Sequence, residues 1–547
     1  MKHMRVASIL AALALLALPA CSQQADEPAP SGPSLTRADP VAQPAPWWND
    51  EVFYEVFVRS FSDSDGDGIG DLQGLIDKLP YLDDLGVTAL WLMPITESPS
   101  YHGYDTTDYF TVEPDYGSNE DFTALVDAAH ERDMEVIVDL MLNHTSTEHP
   151  WFIDSASSPD SDKRDWYVWS ESDTGERTEW GAPVWHELNG AYYLGLFWEG
   201  MPDLNYRNPE VTEQMHEVAR FWLEEMGADG FRLDAVRHLI EEDGDFDGTA
   251  PTHEWLAQWD DFVDSVDPEA LTVGEVWDDT AQVAPYVVDD EVDLAFEFTL
   301  AESLIASVDD GDPDMFTDAL ESVLAAYPPG QFAPFLTNHD QNRVMSQLFG
   351  DVAKAKLAAS ALLTLPGVPF VYYGEEIGML GVKPDEQIRT PMQWDATEGA
   401  GFTSGTPWEP VNDDYPELNV AAQDADPDSL LNHYRTLLAV RAAHPALGLG
   451  SVQVLESTCE SLHAALRRTA DGADTVLVMV NFADEPATGC AVSAGSSDLA
   501  EGTLSGTDAI GGEPAEALEV GADGAISDYA PLPTLAPGAV AVVELSA

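Results

Sequence analysis

Four acidic residues sit where runs of apolar sequence end. Asp139 interrupts Val136-Ile137-Val138-Asp139-Leu140-Met141, Asp234 follows Phe231-Arg232-Leu233, Glu275 follows Thr272-Val273-Gly274, and Asp340 closes Thr337-Asn338-His339. Carboxylates are rarely buried without partners, because an ion taken out of water must be compensated. In a chain with 100 Asp and Glu residues a single one carries no information. Four in the same local setting ask for a common cause. Carboxylates converging on one pocket push their pKa values apart, leaving one as an ionised nucleophile and another as a proton donor, the pairing that glycoside hydrolysis requires.

The elements that must position these groups form a repeating pattern. Short apolar runs recur at Val52 to Phe61, Val87 to Ile95, Glu135 to Leu142, Gly230 to Val236, Leu271 to Trp277, Leu294 to Leu300, Phe332 to Asp340 and Val368 to Gly374. Between them lie stretches with apolar residues at helical spacing, such as Asp121 to Asp133, Pro209 to Met226, Met315 to Ala326, Lys354 to Thr364 and Leu430 to Ala443. Eight strands alternating with helices predict an α/β chain closed into a (β/α)8 barrel, spanning 47–142 and 206–447, with its chemistry at the C-terminal ends of the strands. The connection 143–205 is too long for a simple loop and reads as an inserted domain over the barrel mouth. From 448 to 547 short alternating strands separated by Gly-rich turns, including Val476 to Val480 and Ala539 to Glu544, predict an antiparallel β-sandwich.

The net charge is −78. That excludes nucleic acid as a partner and suggests a protein whose self-repulsion is screened by concentrated salt. At the N-terminus, Lys2 and Arg5 precede the apolar run Ala7 to Ala20, too short to span a bilayer, so 1–20 reads as an export signal. Residues 21–46, rich in Pro, Ala, Asp and Ser, read as a flexible tether. Cys459 and Cys490 can form one disulfide in an exported chain and are too few for a metal site. The segment Asp63, Asp65, Asp67, Ile69, Asp71 sets carboxylates at alternate positions among glycines, which suits a calcium ion, although it lacks the Glu at position twelve and the preceding helix of an EF-hand.

Taken together, these segments resemble the signature regions of the α-amylase family, glycoside hydrolase family 13. Asp139-Leu140-Met141-Leu142-Asn143-His144 resembles the first region, Gly230 to His238 the second, Gly274-Glu275-Val276-Trp277 the third and Asn338-His339-Asp340 the fourth, in order on the third, fourth, fifth and seventh runs. The resemblance implies that Asp234 is a nucleophile forming a covalent glycosyl intermediate, that Glu275 is the general acid and base, and that Asp340 binds hydroxyls of the distorted sugar. Arg232 would keep Asp234 ionised. It further implies substrate contacts for Tyr104 (a stacking platform), His102, Asp139, His144, His339 and Arg343, and for the basic pair Arg237 and His238. The acidic loop is similar to the calcium loop of oligo-1,6-glucosidases and related amylases, with Ile69 giving its carbonyl. Leu18-Pro19-Ala20-Cys21 resembles a lipobox, which implies lipidation of Cys21 and attachment to the bacterial envelope through that anchor alone.

Specificity is divided. Met201-Pro202-Asp203-Leu204-Asn205 resembles a form between oligo-1,6-glucosidases and neopullulanases, and Arg389-Thr390-Pro391-Met392-Gln393-Trp394 resembles the oligoglucosidase branch. Ala235 departs from that branch, whose 1,6-specific members carry Val there, and favours α-1,4 bonds. Of Trp151, Trp166, Trp169, Trp180, Trp185 and Trp198 in the insertion, most are expected to form its core and one or two to stack on glucose rings. The expectation is a monomeric, calcium-containing retaining hydrolase of starch and maltooligosaccharides. The alternatives are an α-glucosidase or oligo-1,6-glucosidase, a transglycosylase such as a trehalose-forming enzyme, and a carbohydrate-binding or transporter-associated lipoprotein on the same scaffold.

Overall fold

The computed structural model describes residues 36–178 and 181–547; the export signal, Cys21 and Trp180 lie outside the described residues. Parallel strands Phe53–Val56, Ala89–Leu92, Glu135–Met141, Gly230–Asp234, Leu271–Gly274 and Leu294–Ala295 pair in sequence order, and Phe370–Tyr372 pairs back onto Phe53–Val56. The run Phe332 to Asp340, expected as the seventh strand, forms no regular strand. Pro334 has no N–H to contribute to a ladder. The segment still closes the barrel through its backbone: Ala333 N–H donates to Ala295 O (2.9 Å), Phe370 N–H to Pro334 O (2.9 Å) and Val368 N–H to Phe332 O (3.0 Å). The run Leu294 to Leu300 is also shorter as a strand than its apolarity suggests. After Ala295 the apolar spacing turns helical, and Phe298–Asp310 is a helix that buries Phe298, Ala301, Leu304, Ile305 and Val308.

Inside the barrel Phe53, Trp91, Ile137, Val273, Phe296 and Phe370 pack as one cluster, with the Phe53 and Phe370 rings stacked at 4.5 Å. The surrounding helices begin where side chains cap them. Ser118 accepts from Asp121 N–H and Asp121 reaches back to Ser118 N–H, a capping box opening Asn119–His130. Asn208 and a following Pro open Pro209–Arg220, and Ser429 opens Leu430–Ala443. The insertion after Glu135–Met141 carries helix Pro150–Ser157 and a three-stranded antiparallel sheet of Trp169–Ser170, Ala191–Leu194 and Trp185–Leu188. Trp166 is buried within it, whereas Trp198 is 47% exposed.

Beyond Ala446–Leu449 a ten-stranded sheet folds over a core that includes Leu466, Leu477, Val492, Leu518, Ile526 and Val543. Cys459 and Cys490 are joined in a disulfide. One edge of this sheet departs from the sequence reading. Arg37–Ala38, inside the expected tether, forms a strand antiparallel to Ser451–Val454, and Arg37 pairs with Asp498. Val41 N–H then donates to Leu449 O. Arg37 and Val41 thus have an ionic and an apolar attachment that the surrounding Pro and Ala hide.

Candidate active site

Arg232 organises the floor of the site. Its register opposite Asp139 on the neighbouring strand, and its place two residues before Asp234, bring both carboxylates to one guanidinium. Arg232 Nη1 lies 2.8 Å from Asp139 Oδ1 and 2.7 Å from Asp234 Oδ1, and Nη2 lies 2.8 Å from Glu275 Oε2. Burial alone would favour loss of the Arg232 proton, but Asp139, Glu275, Tyr104 and Asp234 more than offset it and push its pKa up. The guanidinium is a permanent cation beneath three acids.

Those acids do not hold protons equally. Burial, reinforced by the charges of Asp234 and Asp340, pushes Glu275 up to about 7, against the pull of Arg232. Burial pushes Asp139 up to about 6. Asp340 goes the other way: burial works to raise it, yet the charge and hydrogen bond of His339, with Arg389, hold it well below the usual carboxylate range. The site therefore offers a protonated carboxyl at Glu275 near neutral pH beside an anion at Asp340.

A local backbone feature sharpens the pair. Ala235, directly after Asp234, adopts the left-handed conformation (φ 51°, ψ 36°), which L residues rarely occupy. This turn lets its N–H donate to Glu275 Oε2 at 3.1 Å. The second carboxylate oxygen system is anchored from the far side of the barrel. His339 Nε2 is 3.0 Å from Asp340 Oδ2, His339 Nδ1 is 2.6 Å from Glu55 Oε1, and Arg389 Nη2 donates to Asp340 Oδ1 at 2.8 Å. Tyr104 O–H meets His339 Nε2 at 2.6 Å and donates to Asp139 Oδ2 at 3.1 Å.

Above this floor lies an open cavity of about 820 Å³, lined by His102, Tyr104, His144, Asp234, Ala235, Glu275 and Asp340 together with Phe197, Trp198, Met201, Trp277, Lys383, Asp385 and Arg389. His144 Nε2–H donates to Tyr104 O at 3.1 Å, and burial lowers the pKa values of His144 and His102, favouring their neutral rings. The three expected catalytic acids, with Tyr104, His102 and His144, thus face one space.

The other expected substrate contacts do not line it. Asp139, Arg232 and His339 are fully buried beneath the floor, where each holds a group that does face the cavity. Arg237 is spent on Trp277 O (2.6 Å) and Asp278 (2.8 Å), and His238 Nδ1 on Phe246 O (2.9 Å). Arg343 departs furthest from its expected role: it is buried, with Nε donating to Ile388 O and Nη1 to Tyr373 O, so it ties loops together below the site.

Sequence reasoning missed Phe197, Lys383 and Asp385, and noticed Trp277 and Arg389 only as parts of motifs. Trp277 carried a signal, since it lies two residues after Glu275; it is 44% exposed and stacks on Phe298 at 4.5 Å. Lys383, on a loop, pairs at 2.5 Å with Asp385 at the start of the one-turn helix Asp385–Ile388, whose position no periodicity could give.

The acidic loop brings together three of its five expected ligands. Carboxylate oxygens of Asp63, Asp65 and Asp71 lie within 4.8 Å of one another, a set of hard oxygen donors that fits a calcium ion. Asp67 instead accepts from Ile69 N–H at 2.8 Å. The loop packs against 403–408: Trp408 N–H donates to Gly68 O at 2.9 Å, and a Cβ at Gly68, where φ is 102°, would stand 1.9 Å from Thr406 O.

Residues 55–450 match the model of the alpha amylase catalytic domain. The chain is 43% identical over 425 residues to alpha-amylase 3 of Dictyoglomus thermophilum, covering 77% of this chain and 82% of that one. It is 33% identical over 513 residues to the oligo-1,6-glucosidase of Bacillus cereus, covering 80% and 91%. Among solved structures, the alpha-amylase from H. orenii superposes with a TM-score of 0.79 at 40% identity, covering 91% of this chain and 99% of that one.

Proposed function

The chain belongs to the alpha-amylase family of glycoside hydrolases, and from that premise we propose that it hydrolyses α-1,4-glucosidic bonds of starch and maltooligosaccharides with retention of configuration. One observation carries the reading. Asp234 and Glu275 share the Arg232 guanidinium at the floor of an open cavity, and Glu275 keeps its proton up to about pH 7.

In the first step an Asp234 oxygen attacks the anomeric carbon. The bond from that carbon to the glycosidic oxygen breaks, and the Glu275 proton passes to the departing oxygen. In the second step the Glu275 carboxylate takes a proton from water, whose oxygen attacks the same carbon and expels Asp234. Charge develops on the sugar ring above Asp340, which His339 and Arg389 keep ionised, so the floor is preorganised for a cationic transition state. Retention requires the two carboxyl groups to lie about 5 to 5.5 Å apart, and sharing one guanidinium favours that separation. The anomeric form of the first product, followed by NMR, tests it: an α-glucan yielding β product at first would overturn the reading.

Linkage preference rests on Ala235, whose small side chain lines the cavity beside Asp234. The likeness to an oligo-1,6-glucosidase favours a second reading, hydrolysis of α-1,6 bonds in short oligosaccharides. Rates on starch, pullulan, maltotriose and isomaltose separate the two, and products longer than the substrate would mark transglycosylation. The same proposal includes a calcium ion held by Asp63, Asp65 and Asp71, with a structural part only, and export with a lipid on Cys21. Mass analysis of the mature N-terminus tests the last point.

A further inference from the structure

We propose that Glu55, on the strand Phe53–Val56, is a positioning residue: from beneath the floor it holds His339 as the imidazolium, which in turn orients Asp340 and Tyr104. The inference rests on the hydrolytic reading above and adds a residue that never touches substrate.

Both nitrogens of His339 face carboxyl groups. Nδ1 meets the Glu55 carboxylate at 2.6 Å, and Nε2 meets the Asp340 carboxylate at 3.0 Å. An ionised carboxylate only accepts, and a neutral imidazole has a single N–H, so a neutral ring would turn a lone pair towards one of them. The ring is buried, edge-on to Trp91 at 5.6 Å, and out of contact with bulk solvent. The charge state also sets the direction of the next hydrogen bond. With Nε2 protonated, its one N–H is shared between Tyr104 Oη and Asp340 Oδ2, and the Tyr104 O–H is free to donate to Asp139, which holds Arg232 and so Asp234 and Glu275. With Nε2 bare, Tyr104 would turn its proton to His339 and abandon Asp139.

Other charged groups around this pair are accounted for. Arg389 donates to His339 O and Asp340, Arg343 and Glu375 lie below with Tyr372, and Asp139 and Glu275 both feel the His339 charge. Glu55 is the acidic side chain at Nδ1. Burial opposes the imidazolium, but Asp340 and Glu55 raise its pKa to about 9.

Glu55→Gln keeps shape and removes charge. Side-chain nitrogen NMR should find His339 charged at pH 7 in the wild type and titrating at least about two pH units lower in the variant, a hundredfold change in proton affinity that brings it to or below the Glu275 value of about 7 and so lets it govern the alkaline limb. The alkaline limb of kcat/KM should move to lower pH, and kcat at pH 7 should fall more than KM changes. The signs discriminate. If His339 merely filled space, loss of a cation near Glu275 would raise the Glu275 pKa, and the limb would stay or move to higher pH; that result overturns the proposal. Should the variant not fold, a neutral His339 at pH 7 in the wild type overturns it equally. The NMR readout needs no substrate, so failure to hydrolyse any glucan would sink the hydrolytic reading and leave the charge state of His339 separately decided.

Discussion

Replacing Ala235 by Val tests the linkage reading and the backbone beneath it at once. The side chain lines the cavity immediately after Asp234, and its N–H holds Glu275 at 3.1 Å from a left-handed turn. Two effects must be separated. Added methyl groups narrow the space beside the scissile bond, and a methyl-scale change in a pocket is worth about 1 to 3 kcal/mol, or roughly 10- to 200-fold in discrimination. The turn itself costs an L residue about 1 to 2 kcal/mol, and a β-branched side chain more. Strain that shifts the 235 N–H away from Glu275 should slow every substrate alike, whereas the pocket effect should change their ratio. The assay is therefore the ratio of kcat/KM for maltotriose to kcat/KM for isomaltose. Wild type should favour maltotriose, and Ala235→Val should lower the ratio by roughly 10- to 200-fold. Ala235 already bears the cost common to L residues, so only the increment for a branched side chain counts; at about 2 cal/mol/K of unfolding entropy per residue, an increment of about 1 kcal/mol lowers Tm by only about 1 °C in a chain this long. Ala235→Gly should keep the α-1,4 preference without that loss. A wild type that prefers isomaltose, or an unchanged ratio in the Val variant, would refute the reasoning and move linkage choice to the rim around Trp198 and Lys383.

Three further outcomes are expected. Because Glu275 donates from its protonated form, wild-type activity should fall as pH rises through about 7, and Glu275→Gln should lose about 100- to 10,000-fold in kcat on unactivated glucans while a substrate with a good leaving group loses less in the first step; equal losses would remove Glu275 as the acid. A chelator should lower Tm, since a ligand bound only by the folded state stabilises it, and Asp65→Ala with Asp71→Ala should abolish the effect; an unchanged melt and metal content would make the loop a simple turn. With a net charge of −78, Tm and activity should rise from low to molar salt, where screening shortens to about 3 Å, and a flat response would refute the expectation that concentrated salt relieves the chain's self-repulsion.

Much of this site was legible because its acids stand at the ends of β-branched strand runs, where the barrel fixes their positions to within a residue. Asp139 could be placed by pattern alone, but its contribution could not: only the register with Arg232 turns it from a substrate contact into a support. The seventh barrel segment was found by apolarity and misjudged in form, since one proline decides whether it joins a ladder. Ala235 looked like a small pocket residue; its positive φ is a property of the turn and invisible in its type. Lys383 and Phe197 come from loops and Asp385 from a single helical turn, where neither the helical nor the strand period runs long enough to read. Arg343 was expected to touch substrate from the family resemblance alone, whereas packing sends its guanidinium underneath, to Ile388 O and Tyr373 O.

The short strand Arg37–Ala38 has a meaning for solubility as well as for architecture. A β-sheet that ends in open air presents a row of unsatisfied donors and acceptors, an invitation to another chain. Ser451–Val454 would be such an end, and the first described residues of the chain cover it, with Val454 N–H donating to Thr36 O and Val41 N–H to Leu449 O. A polypeptide starting at Trp47 would keep every residue of the barrel and its cavity yet leave that border bare. Its fault would show as self-association through strand addition, in a molecule whose charge otherwise keeps copies of itself apart.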